Sequence, residues 1–130
     1  FKFVSSYIPS KIDLILLDTV HEAEHVEKII YFYYDYLNLQ SCFFIDDISW
    51  IPYLIDSDKN RFYAEINNYE TFVKLLEIYY NNRSNFNLDF NFEGTGMCKI
   101  TKLTKNKLNI PKKIKSRNFS IKNIIRKFIK

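Results

Sequence analysis

Two short apolar runs, each closed by aspartate and separated by a stretch of helical spacing, limit what this chain can fold into. Ile12 to Leu17 reads Ile-Asp-Leu-Ile-Leu-Leu and ends in Asp18. It lacks period-2 alternation, as expected of a strand buried on both faces. From His21 to about Leu37 the apolar residues Val26, Ile29, Ile30, Tyr33 and Leu37 recur at helical intervals, and Glu22 and Glu24 stand in the first turn. Acids there suit the positive end of a helix dipole. Cys42 to Ile45 is the second apolar run, again closed by acid at Asp46 and Asp47. Strand, helix, strand is a βαβ unit, which predicts two neighbouring parallel strands.

The rest of the chain completes an α/β domain. Ile48 to Asn68 is irregular, with Pro52, acids at Asp56 and Asp58, and aromatics at Trp50, Tyr53, Phe62 and Tyr63. Helical spacing returns from Tyr69 to Tyr80. Phe86, Leu88, Phe90 and Phe92 alternate with polar residues, Gly94-Thr95-Gly96 turns the chain, and Met97 to Leu103 runs back. That pattern predicts an antiparallel hairpin closing an otherwise parallel sheet. Phe1 to Val4 reads as the end of a further strand. With 130 residues, 47% of them hydrophobic, the chain can bury one core but not two. Its first residue is Phe, and it reads as a segment of something longer.

Charge divides the chain in two. Residues 102–130 hold eleven of the nineteen Lys and Arg and no acid, leaving eight bases against all fifteen acids before them. The reading is an acidic α/β part, residues 1–103, and a basic tail, residues 104–130. After Pro111, the tail offers Ser120 as an N-cap and an apolar stripe of Ile121, Ile124, Ile125, Phe128 and Ile129, with Lys122, Arg126, Lys127 and Lys130 on other faces. Such a helix docks on protein, or contacts anionic lipid or nucleic acid. No apolar run reaches the roughly 20 residues of a membrane span. Cys42 and Cys98 form no C-x-x-C pair and read as reduced thiols, which places the chain in the cytoplasm.

In open α/β sheets, ligands bind beyond the carboxyl ends of the strands. Asp18, Asp46 and Asp47 all stand there, and three like charges at one rim repel unless a cation or a proton joins them. His21, three residues past Asp18, faces the same crevice and has the chemistry of a general base. His25, a turn further on, reads as structural or solvent-facing. The run His21-Glu22-Ala23-Glu24-His25 also matches H-E-x-x-H, the pattern of a zinc hydrolase. The strand that ends at Asp18 leaves little helix before His21 to carry that motif. Gly94-Thr95-Gly96 lies between two strands and reads as a turn, not as a phosphate loop.

The succession Asp13-Leu14-Ile15-Leu16-Leu17-Asp18-Thr19-Val20-His21, a helix, and Phe43-Phe44-Ile45-Asp46-Asp47 resembles the second half of class I S-adenosylmethionine-dependent methyltransferases. The branch it is most similar to comprises small metal-dependent O-methyltransferases of sugars and other hydroxylated molecules. The resemblance spans residues 1–103. It implies a Rossmann-like, mostly parallel sheet with a C-terminal antiparallel hairpin and with the N-terminal strands missing. It implies S-adenosylmethionine as cofactor, magnesium or another divalent cation on Asp18, Asp46 and Asp47, and His21 as base. Trp50 and Tyr53 would line the pocket of a small hydroxylated or glycan acceptor. Thr19 stands where the family has Gly, and the family's Gly-rich cofactor loop lies upstream of any residue here. The alternative is a non-catalytic module derived from such an enzyme, with the basic tail holding nucleic acid or membrane.

Overall fold

The computed structural model describes residues 11–20, 22–50 and 62–114, together with Ile121 and Ile125, and only the backbone of residues 62–65. Six elements follow one another: β1 (Ile12–Leu17), α1 (Ala23–Tyr34), β2 (Leu37–Asp46), α2 (Phe62–Tyr80), β3 (Phe86–Asn91) and β4 (Met97–Lys102). The strands form one mixed sheet in the order β1-β2-β4-β3. β1 pairs with β2 in parallel, as the βαβ pattern predicts, while β4 is antiparallel to both β2 and β3. Hence β1, β2 and β3 all point one way and β4 alone is reversed. Phe1 to Val4 lies outside the described residues.

Both helices lie on one face of the sheet. Val26, Ile29, Ile30 and Tyr34 of α1 and Leu75 and Ile78 of α2 close over Leu17, Phe43, Ile45, Phe86, Cys98 and Ile100 in a single core. Strand alternation supplies the sheet side of that core, since successive side chains point to opposite faces. Lys74 of α2 ties the two helices together, reaching Glu27 at 2.7 Å and Glu77 at 3.7 Å. Its pKa is raised, chiefly by the hydrogen bond to Glu27. Burial pushes the Cys98 thiol up and keeps it protonated.

The structure corrects three expectations. β1 is covered on one face only: Leu14 and Leu16 are 62% and 63% exposed, while Leu17 is buried. An apolar run without alternation shows that both faces can be buried, not that both are. Leu37 belongs to β2 and not to the preceding helix. The helix stops at Tyr34, and Ile12 N–H bonds to Tyr36 C=O at 3.0 Å, so pairing with β1 overrides the helical spacing. The pairing jumps from Ile12↔Leu37 to Leu14↔Cys42, and Gln40 has a φ of 65° within the irregular stretch. Finally, α2 starts at Phe62, inside the stretch that reads as irregular. Asn68, a poor helix former, is held there by a buried hydrogen bond to Ser49 C=O at 3.0 Å.

The first part of the basic tail is strapped to the body. Asn82 at the end of α2 is buried and donates to Ile78 C=O at 2.8 Å and to Asn109 C=O at 2.9 Å, while its Oδ1 accepts from Asn109 N–H at 2.7 Å. Leu103 N–H donates to Asn85 C=O, Lys112 N–H to Glu77 C=O, and the Tyr31 hydroxyl to Asn109 C=O. Leu108 packs on the core beneath this strap.

Tyr31 and the buried Tyr34, whose hydroxyl donates to Asn85 C=O at 2.7 Å, make stability depend on alkaline pH. Burial, aided by Asp35, raises the Tyr34 pKa to about 12, and burial with Glu27 does the same for Tyr31, against a smaller opposing effect of Asn82. A folded-state pKa above the unfolded value means that the folded chain holds the proton longer. The contribution is complete below about pH 10 and is lost as pH rises through about 12. The melting temperature is therefore expected to fall from about pH 10 upward, and Tyr34→Phe to flatten that fall. A melting temperature that declines equally in wild type and Tyr34→Phe refutes this assignment.

Candidate functional site

The carboxyl ends of β1 and β2 meet where the parallel register predicts. Leu17 pairs with Ile45, so Asp18 and Asp46 leave adjacent strands, which run about 4.8 Å apart. Asp46 closes β2 opposite Met97. Its position alternates with buried Ile45, which puts it on the sheet face away from the helices.

Asp46 is also bound on its other side. Its Oδ1 accepts from Asp47 N–H at 2.9 Å and from the Thr95 hydroxyl at 3.4 Å. Asp47 takes a φ of 56°, a left-handed conformation that aspartate tolerates better than most residues. The chain then runs against the hairpin turn: Ile48 N–H bonds to Gly96 C=O at 3.4 Å and Ser49 N–H to Thr95 C=O at 2.8 Å. The turn thus acts as a second wall of the acidic rim. Sequence reasoning missed this role for Thr95. Its only signal was a hydroxyl between two glycines, which reads as turn chemistry alone.

Beyond the rim, Trp50 is half-buried in an aromatic cluster. Its ring meets Phe72 at 4.2 Å, Phe92 at 5.3 Å and Tyr69 at 5.7 Å between centroids. Trp50 therefore packs α2 onto the end of β3. Asn68, directly before Tyr69, is 2% exposed and its Oδ1 has no hydrogen-bond partner. An orphaned buried acceptor costs about 1–3 kcal/mol, so the end of this cluster has an acceptor ready for a donor.

Of the other expected site residues, His21 and Tyr53 lie outside the described residues. Glu22 precedes α1 with φ −90° and ψ 128°, in extended conformation. Glu22 therefore stands outside the helix, whereas His25 lies in the first turn of α1. Among the described residues, no group of three or more His, Cys, Asp or Glu is placed to hold a metal ion. No described helix is long and apolar enough to cross a membrane.

The chain matches no protein-family model, and no curated protein is similar to it.

Proposed function

We propose that residues 1–103 form the C-terminal part of a class I methyltransferase-like, Rossmann-like domain. Its activity is S-adenosylmethionine-dependent O-methylation of a small hydroxylated or glycan acceptor at the rim of Asp18, Asp46 and Asp47. The observation that carries this reading is strand direction. Three strands point one way, and the reversed β4 is inserted between β2 and β3. A mostly parallel sheet finished by an antiparallel hairpin is what the sequence resemblance implies.

A second feature supports it. β1 is an edge strand among the described residues, and Leu14 and Leu16 are exposed beside Cys42 and Phe44 on the open face. Parallel strand pairs such as β1–β2 are ordinarily buried on both faces, and an apolar edge invites pairing. An upstream half that extends the sheet past β1 and covers this face accounts for both. That half would also supply the cofactor loop.

The described residues do not assemble three ligands for a divalent cation, and Asp46 Oδ1 already accepts two hydrogen bonds. In the reading, Asp18 and Asp46 make the strand-end rim negative. Trp50, fixed by Phe72 and Phe92, borders it with an apolar surface against which a sugar or similar acceptor can lie.

The test is methyl transfer from labelled S-adenosylmethionine by the longest natural polypeptide containing these residues. Asp46→Asn combined with Asp47→Asn is expected to lower transfer to hydroxylated acceptors about 100-fold, the scale of one lost electrostatic group at an active site. Transfer that survives both substitutions overturns the reading and favours a non-catalytic module.

A further inference from the structure

A cleft of about 390 Å³ opens at the carboxyl end of α2, where the chain turns toward β3. Tyr80 and Arg83 line it from the helix end and the turn after it, and Lys112, Lys113 and Ile114 line it from the strap. The lining thus holds three cations and no carboxylate. Arg83, Lys112 and Lys113 are exposed, and none has a carboxylate partner among the described residues. Glu77, the acid that faces the strap, is already engaged. Its Oε1 accepts from Ile114 N–H at 3.1 Å, and its Oε2 lies 3.7 Å from Lys74.

The cations are held in place by the fold. Lys112 N–H donates to Glu77 C=O at 3.0 Å, and the Asn81 amide donates to Ile110 C=O at 2.7 Å. The backbone that bears Lys112 and Lys113 is thereby fixed on the last turns of α2. In the opposite wall the Arg83 guanidinium lies 4.5 Å from the centroid of the Tyr80 ring, which is itself half exposed. A flat cation and a flat ring therefore stand together. Three like charges around one cleft repel one another, and an anion relieves them.

We propose that this cleft binds single-stranded nucleic acid, with phosphates on Arg83, Lys112 and Lys113 and a base stacked on the Tyr80–Arg83 pair. The stacking surface favours this occupant over other anions. A free phosphate uses charge alone, whereas bases stack on exposed rings and on guanidinium planes. A membrane surface adds apolar burial to charge, and half-buried Ile114 is the one aliphatic side chain in the lining. The volume lies in the range of ligand pockets, about 300–1,000 Å³. Phosphates and base faces are common to every sequence, so binding is expected to show little sequence preference. The cleft adjoins the start of β3, which points the same way as β1 and β2. It therefore stands at the end of the sheet remote from Asp18 and Asp46, and it does not depend on the methyltransferase reading.

Fluorescence anisotropy on the full chain tests it, with a labelled oligothymidylate of about 12 nucleotides, within the span of single-strand sites. Three phosphate contacts predict a slope of about −2 in log affinity against log salt. Lys112→Gln/Lys113→Gln is expected to lower affinity about 25-fold at about 0.1 M salt and to reduce the slope to about −0.7. Tyr80→Ala is expected to lower affinity about tenfold and leave the slope unchanged, because stacking carries no charge. All three side chains are exposed, so the melting temperatures are expected to match wild type. Absence of binding by wild type overturns the proposal, as do affinity and slope that survive in both variants. Loss in the lysine variant alone, with full competition by inorganic phosphate, overturns it in favour of a simple anion site. Capture by vesicles containing phosphatidylserine, without oligonucleotide binding, overturns it in favour of an anionic membrane.

Discussion

Gly96→Ala is expected to destabilise the chain by about 3 kcal/mol, while Gly94→Ala costs about 1 kcal/mol. Both glycines take positive φ, at 81° and 62°, so both substitutions carry the left-handed penalty of an L residue, about 1 kcal/mol or slightly more. They differ in what a Cβ would meet. At Gly94 there is nothing within 4 Å; at Gly96 a Cβ would lie 2.6 Å from Ser49 Cβ and 2.7 Å from Ser49 N. The second of these is backbone and cannot rotate away. Accommodating the methyl group therefore pushes the turn off the segment after β2, weakening the Ser49 N–H to Thr95 C=O and Ile48 N–H to Gly96 C=O bonds. Urea denaturation of both variants is the measurement. Equal losses at the two positions would show that conformation alone, and not the close approach, sets the cost. Because the turn also brings the Thr95 hydroxyl to Asp46, Gly96→Ala is expected to disturb the acidic rim, whereas Gly94→Ala leaves it intact.

Asn82→Ala is expected to cost a similar amount, about 3 kcal/mol, by a different route. The side chain is 1% exposed and saturates its hydrogen bonds: its amide donates to Ile78 and Asn109 carbonyls, and its Oδ1 accepts from Asn109 N–H and Asn85 Nδ2. Truncation removes little apolar contact but leaves several polar partners without a mate, at about 1–3 kcal/mol for a fully buried one. The loss is local in the first instance, since Asn109 is held to α2 mainly through this residue. Hydrogen exchange at Asn109 and Lys112 is expected to accelerate well below the denaturant concentration that unfolds the sheet. If the strap stays protected in Asn82→Ala, it is held instead by the Tyr31 hydroxyl on Asn109 C=O, the Asn81 amide on Ile110 C=O at 2.7 Å and the packing of Leu108.

Much of the layout was legible in the residues. The runs Ile12–Leu17 and Cys42–Ile45 and the alternation from Phe86 to Phe92 report strands because period and composition are local properties. Gly94-Thr95-Gly96 reports its turn because only glycine adopts such φ values cheaply. The ends of elements were less legible. Leu37 continues the helical spacing yet joins β2, and Phe62 to Asn68 is helical without looking so, because each is decided by a partner remote in sequence. The candidate site was half legible. The acids at the ends of two strands were visible as Asp18 and Asp46, but their adjacency depends on the Leu17↔Ile45 register. The involvement of Thr95 depends on a hairpin that returns from about fifty residues away.

By itself, then, the sequence determined which segments are strand or helix, where the chain turns, and that acid gathers at strand ends while base gathers in the tail. These follow from backbone preference and side-chain period, which each segment carries within itself. Only the tertiary structure decided that β4 slips between β2 and β3, that both helices share one face and leave Leu14 and Leu16 bare, and that Asn82 and Glu77 hold the start of the tail against α2. Those outcomes are set by which surfaces bury one another and which polar groups find partners, and contacts between distant residues leave no local signature in the chain.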